Sequence, residues 1–291
     1  MSPEFFSLYS EIIMRNLEGM PGKSVGGTNI NNLRYADDTI LIATNETDLQ
    51  ALVDTIVRES SKMGLSLNKK KTEVMVTSKK EMEIKSWIKV EGTLLKQVTS
   101  LKYLGTIITS DGRCNNEIRS RIGHAKSVFN QMRNFLCNKH VSLQTRKRVV
   151  QTYVKSVMCY GCEVWTINKR IQSQLEAAEM WFLRRMMKVS WTAKVSNKII
   201  LQMANETRTL SKDLRKRQSN YFGHIIRKGQ IEHTVITGKI SGKRDRGRQR
   251  EKILDSLANW LGDGSITEMI NKARDRNGWR YMTANVCRQG T

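Results

Sequence analysis

RYADDTILIA, residues 34–43, sets two carboxylates side by side between two apolar runs. Adjacent like charges repel, and a buried ionised carboxylate is costly unless something pairs with it. Asp37 and Asp38 therefore either sit in a wet turn or hold a cation. The flanking runs, NLRY and TILIA, are rich in strand-favouring residues, and two runs this close favour a hairpin with the acidic pair at their junction.

Upstream, SPEFFSLYSEIIMRNLE reads as a helix with Pro3 in its first turn and Phe6, Ser10, Ile13 and Leu17 along one face. The turn-rich MPGKSVGGTN ends it. Downstream, Asn45 is an N-cap with Asp48 three residues on. A helical stripe runs from Leu49 to Met63, and Gly64 stops it. EVMVT (73–77), WIKVEG (87–92) and LKYLGTIIT (101–109) read as strands, and Gly105 inside the last marks a bulge or a close backbone approach. Strands with a crossing helix predict an α+β region, an antiparallel sheet with helices on one face.

Beyond residue 112 the pattern is mainly α. Ile118, Ile122, Ala125, Phe129, Met132 and Leu136 form one stripe. Ser142 caps a second helix holding Val149, Val150, Tyr153, Val154 and Val157, and Ile171 to Met186 make a third. Shorter helices are expected at 196–205, 208–227, 249–261 and 266–276. The expected division is 1–110, 111–190 and 191–291, with a flexible basic linker at 241–252, SGKRDRGRQREK.

Charge separates these regions. The 291 residues carry a formal net charge of +23. Residues 1–110 hold 14 Lys+Arg against 13 Asp+Glu, whereas residues 111–291 hold 36 against 14. Such a surplus points to a polyanionic partner, and the apolar runs are too short for a bilayer span. Lys243, Arg244, Arg246, Arg248 and Arg250 in the linker are candidate phosphate contacts, an import signal, or a solvated loop. Five cysteines, an odd number in a long chain, read as reduced and intracellular, nuclear or cytoplasmic, without a secretory leader. The C-x-x-C of Cys159 and Cys162 reads as core, because no second pair accompanies it. Trp165, Trp181, Trp191 and Trp260 read as core, with base stacking as the alternative.

With Tyr35 and Ala36 before the acidic pair and a strand after it, RYADDTILIA resembles the Tyr-Ala-Asp-Asp box in the palm of reverse transcriptases. GLSLNKKKTEVM (64–75) resembles the next palm block and LKYLGTIIT the primer-grip block. SPEFFSLYSEIIMRNLE resembles the helix after an upstream Gln-Gly-containing block. CYGCEVWT, LEAAEMWFLRRMMKVSWT, NYFGHIIRK and GKRDRGRQR resemble the thumb and C-terminal region of endonuclease-encoding non-LTR retrotransposon polyproteins. The resemblance implies RNA-directed DNA synthesis by two-metal nucleotidyl transfer, with Mg²⁺ (or Mn²⁺), an RNA template, a DNA primer and deoxynucleoside triphosphates. It implies that Asp37 and Asp38 are metal carboxylates and that Lys71 assists the departing pyrophosphate. It also implies that Tyr103, Leu104 and Gly105 hold the primer end. Residue by residue, Lys71 also reads as a strand-edge lysine, Tyr103 to Gly105 as strand core, and Arg34 as a solvated partner of the carboxylates. The resemblance places a third carboxylate and the fingers upstream of Ser2-Pro3. The expectation is thus a truncated palm–thumb chain, inactive or weakly active by itself. The alternative is a non-catalytic basic nucleic-acid-binding module.

Overall fold

The computed structural model describes residues 3–78, 84–238, 252–262 and 265–289. The chain divides into two compact units, Met1–Arg113 with Gly229–Arg246, and Cys114–Lys228 with Gly247–Thr291. Both helices and short strands are present, so the class is α+β.

The first unit opens with α1 (Pro3–Arg15), followed by the hairpin β1 (Lys23–Val25) and β2 (Thr28–Ile30) and the hairpin β3 (Asn32–Tyr35) and β4 (Asp38–Leu41). Then come α2 (Glu46–Lys62), β5 (Glu73–Val74), the hairpin β6 (Lys89–Val90) and β7 (Thr93–Leu94), and β8 (Lys96–Gln97), which pairs parallel to β5. The hairpin β9 (Ser100–Tyr103) and β10 (Thr106–Thr109) ends the run. The pairings among the described residues are two-stranded ladders.

The helix ends follow the sequence. Asn45 caps α2, its Oδ1 accepting from the Asp48 amide at 2.8 Å. At the other end the Leu65 amide reaches the Ser60 carbonyl (2.9 Å) and the Gly64 amide the Ser61 carbonyl (3.1 Å). Gly64 sits at φ +69°, so this is a Schellman stop that glycine adopts without a Cβ clash. Met14, Leu17, Leu52 and Ile56 form one small core; Val53, Val74, Ile88, Val90 and Leu95 form another, and Leu41 and Leu67 pack against both.

Two strand readings are corrected. LKYLGTIIT is a hairpin, not one strand: Tyr103 pairs with Thr106, and Leu104 and Gly105, at φ +47° and +80°, make the turn. MPGKSVGGTN contains the β1–β2 hairpin, closed by Gly26 and Gly27 at φ +56° and +84°. Two consecutive positive φ values give the turn whose twist matches that of the flanking strands. Glu91 and Gly92 close β6–β7 in the same way.

The second unit runs α3 (Asn115–Gln131), α4 (Arg133–Leu136), α5 (Leu143–Val149), a π turn (Val150–Val154), α6 (Lys155–Met158), α7 (Lys169–Met187), α8 (Asn197–Ala204) and α9 (Leu210–Lys228). The short α10 (Ile231–Thr237) belongs to the first unit; α11 (Ile253–Leu261), α12 (Ile266–Arg274) and α13 (Arg276–Gln289) complete the second. Ile118, Ala125, Phe129, Leu136, Leu175, Phe182 and Met186 share its core with Cys159, Cys162 and Trp165. The Cys162 thiol hydrogen-bonds to Cys159 and, with Arg217 nearby, holds the Cys159 thiol below its usual pKa. Hydrogen bonding to Cys159 and burial push the Cys162 thiol up.

Gln218 of α9 fixes the segment CYGCEVW. Its side chain is buried and donates to the carbonyls of Cys162 (3.0 Å) and Trp165 (2.8 Å). Trp279 of α13, also buried, donates from Nε1 to the Ser219 carbonyl at 2.9 Å and packs over Gly223. Tyr153 is exposed, because the buried positions through the π turn run Val150, Val154 and Met158. One core reading fails here. Trp191 is 79% exposed, because its short 3₁₀ turn (Trp191–Ala193) carries it outside the stripe of α7.

Candidate active site and nucleic-acid interface

The acidic pair sits on the β3–β4 hairpin. Asn32 pairs with Leu41, Leu33 with Ile40, Arg34 with Thr39 and Tyr35 with Asp38, leaving Ala36 and Asp37 as a two-residue turn. Ala36 is at φ +51°, a left-handed conformation costly for a residue with a Cβ. A small side chain keeps the accompanying crowding low. Asp38 is thus the first residue of β4, while Asp37 belongs to the turn.

Buried polar bonds anchor the base of this hairpin. Asn31, only 8% exposed, donates from Nδ2 to the carbonyls of Leu17 (2.7 Å) and Met20 (3.0 Å). The Ile42 amide returns to the Asn31 carbonyl at 2.8 Å. The turn after α1 thereby holds the root of the hairpin while its tip stays in solvent: Tyr35, Asp37 and Asp38 are exposed. Arg34 is not the partner of these carboxylates. Its Nη1 pairs with Glu11 of α1 at 2.8 Å, because Arg34 and α1 lie on one side of the ladder.

Among the described residues no hydrogen bond or ion pair engages the Asp37 or Asp38 side chain, and no cluster of three His, Cys, Asp or Glu forms a metal cage. Two exposed carboxylates fit a hydrated Mg²⁺, which keeps several waters and takes one or two carboxylates plus substrate phosphates. They do not make a closed site by themselves.

Lys71 and its neighbours come from a turn built on Asn68. The Asn68 carbonyl accepts from the Lys71 amide (3.1 Å), the Thr72 amide (3.0 Å) and Thr72 Oγ1 (2.9 Å), and its Oδ1 accepts from the Lys71 amide at 3.2 Å. Asn68 therefore shapes the Lys71-Thr72 corner. Its role is legible only as an asparagine ahead of the Lys-Thr pair. The Lys71 side chain is exposed.

Tyr103 is the residue that joins the two blocks. It ends β9, half-buried, and its phenol is held above the ordinary value of 10.0 first by burial and then by the negative charge of Asp38. The structure thus brings Tyr103 and Asp38 within electrostatic reach. Leu104 and Gly105 lie at the exposed tip of that hairpin. Lys243, Arg244, Arg246, Arg248 and Arg250 lie outside the described residues. No helix among the described residues is long and apolar enough to cross a membrane.

Comparison with known proteins agrees with this layout. Residues 1–108 match the family described as reverse transcriptase (RNA-dependent DNA polymerase). An uncharacterized transposon-derived protein of Caenorhabditis elegans is 26% identical over 267 residues, which cover 88% of this chain and 95% of that protein. The retrovirus-related Pol polyprotein of a type-2 retrotransposable element of Drosophila melanogaster is 32% identical over 125 residues, 40% of this chain and 12% of that polyprotein. No solved structure matches. Together these matches show that residues 1–108 are similar to reverse transcriptases and that the chain as a whole is similar to a transposon-derived protein.

Proposed function

We propose that residues 1–113 form the part of a reverse-transcriptase palm that holds Mg²⁺ against a primer end, for two-metal RNA-directed DNA synthesis from deoxynucleoside triphosphates. The observation that carries this reading is the exposed acidic pair on the β3–β4 hairpin with the Tyr103 phenol in range of Asp38. Asp37 and Asp38 are the carboxylates that would take the metal. Bound Mg²⁺ supplies charge stabilisation at the attacking and leaving oxygens. Tyr103, Leu104 and Gly105 position the primer terminus, and the exposed turn at Leu104-Gly105 admits a nucleic-acid backbone. Lys71, on its Asn68-built corner, offers positive charge or a proton to the departing pyrophosphate.

The 291-residue chain by itself is proposed to be inactive or weakly active. Among the described residues no third carboxylate joins the pair, and catalysis of this class depends on positioning and charge stabilisation together. Purified chain on a primed RNA template, with Mg²⁺ and deoxynucleoside triphosphates, tests this. Robust extension by the wild-type chain would overturn the inactivity. Electron paramagnetic resonance of added Mn²⁺ tests the site without turnover: the chain with primer–template binds Mn²⁺, and Asp37→Asn with Asp38→Asn releases it. Unchanged Mn²⁺ binding in that variant removes the metal assignment.

The charge distribution favours a second reading, a basic nucleic-acid-binding module. Residues 111–291 carry 36 Lys+Arg and 14 Asp+Glu. Binding by that region survives chelation of metal and falls steeply with salt.

A further inference from the structure

The second unit contains a groove of about 1070 Å³ formed by α4, the C-terminal half of α7 and the segment through the Trp191 turn to Asn197. Its walls carry Arg133, Arg184, Arg185 and Lys188 together with Trp181 and Trp191, and no Asp or Glu lines it. Among the described residues no carboxylate pairs with Arg133, Arg185 or Lys188. A cationic surface with no internal counter-charge calls for an external anion.

Arg184 shows where that anion goes. It is 8% exposed. Its Nη2 donates to Asn197 Oδ1 (3.0 Å) and to the Val195 carbonyl, and its Nε to the same Asn197 oxygen at 3.3 Å. Its Nη1 is buried with no hydrogen-bond partner. A guanidinium edge left unpaired in a groove wall is costly, and an acceptor oxygen from a ligand removes that cost. The carbonyls ending α7 do not compete for it. Arg184 O accepts from the Val189 amide (3.0 Å), Arg185 O from the Lys188 amide (3.2 Å) and from Cys137 Sγ (3.3 Å), and Met186 O from Arg146.

The aromatic half is equally specific. Trp191 stands 79% exposed over Arg184, whose guanidinium carbon lies 5.2 Å from the ring centroid. Arg185 and Lys126 flank Trp181 at 5.0 and 5.3 Å. An indole kept in water at the rim of an arginine-lined groove is a stacking platform. A phosphate alone has no use for it, and an apolar peptide has no use for four cations.

We infer that this groove is a binding site for an unpaired nucleotide of a single-stranded nucleic acid, its base stacked on Trp191 and its phosphate received by Arg184 and Arg185. A base inside a duplex cannot reach the indole face, so the site discriminates single strand from double strand. The inference rests on nucleic-acid binding by the second unit and is independent of Asp37 and Asp38.

The test is fluorescence anisotropy of the full chain with labelled single-stranded RNA of about 12 nucleotides, in the site-size range of single-strand binders. A DNA strand of the same length and a matched duplex run beside it, all in chelator at fixed salt. Trp191→Ala, which alters an exposed side chain, weakens single-strand binding by about tenfold, as expected for the loss of one base–aromatic stack. It leaves duplex binding unchanged, and Trp191→Tyr restores most of the loss. Arg185→Ala weakens single-strand binding and lowers the salt slope by about one. The RNA and DNA arms show which strand the site takes. Equal effects of Trp191→Ala on single strand and duplex, or no effect on either, overturn this site while leaving general basic binding intact. Failure of the wild-type chain to bind any strand overturns both.

Discussion

Gln218→Leu is the sharpest test of how the second unit is held together. The wild-type side chain is 1% exposed and makes three bonds: to the carbonyls of Cys162 and Trp165, and from Arg215 Nη1 to its Oε1 at 3.1 Å. Cys162 O keeps the Trp165 amide at 3.2 Å after the change, whereas Trp165 O depends on Gln218 among the described bonds. One orphaned buried carbonyl costs about 1–3 kcal/mol. Arg215 loses an acceptor but keeps Ser256 Oγ at 2.8 Å, so its share is about 1 kcal/mol. The added apolar burial of leucine returns about 1 kcal/mol. The net loss is about 1–3 kcal/mol, which at this unit's size lowers Tm by roughly 2–12 °C. Tryptophan fluorescence against temperature and urea reads it, because buried Trp165 reports the affected segment. Gln218→Glu is expected to be worse at neutral pH, since a carboxylate would face two carbonyl oxygens, and to recover partly on acidification as the protonated acid regains one donor. A Tm shift below about 2 °C for Gln218→Leu would refute the claim that this amide is the clamp.

Three other outcomes follow from particular contacts. Gly223→Ala places a Cβ 2.6 Å from Trp279 Nε1, so overpacking costs about 1–3 kcal/mol despite alanine's better helix propensity, measurable by urea unfolding. Removing the anion in Asp38→Asn lowers the pKa of Tyr103, read by ultraviolet titration with Tyr103→Phe to assign the signal. Because the folded phenol is raised, its contribution to stability is complete below pH 10.0 and is lost as pH climbs through the native value; in Asp38→Asn the loss still begins near pH 10.0 but is smaller and ends at lower pH. Leu104→Gly relieves a left-handed residue at φ +47° and leaves stability unchanged or raises it by up to about 1 kcal/mol, whereas Gly105→Val, at φ +80°, costs at least about 1 kcal/mol; thermal unfolding separates the two.

Much of the candidate site was legible in the sequence because its signals are local. The acidic pair between two strand-forming runs, Asn45 with Asp48, and Gly64 after the last apolar residue each act through neighbours a few residues away. The stripes from Ile118 to Leu136 and from Ile171 to Met186 are periodic, and most of their members are buried. Gly26-Gly27, Glu91-Gly92 and Leu104-Gly105 carried a hairpin signal as well, a two-residue turn ending in glycine. In MPGKSVGGTN and LKYLGTIIT it was outweighed by the turn-rich composition of one and the unbroken apolar run of the other.

Other features depended on residues far apart in the chain. Arg34 finds Glu11, not the neighbouring aspartates, because α1 lies beside the hairpin; Gln218 reaches back more than fifty residues to Cys162 and Trp165. Composition placed the positive charge beyond residue 111. Only tertiary packing could leave Trp191 in solvent, Trp165 in the core, and the Nη1 of Arg184 unpaired in a groove wall. The sequence alone settled local geometry, because capping, turn and periodicity energies act over one or two helical turns. Burial and pairing of a particular side chain required the folded chain, because they depend on which distant segment arrives to cover it.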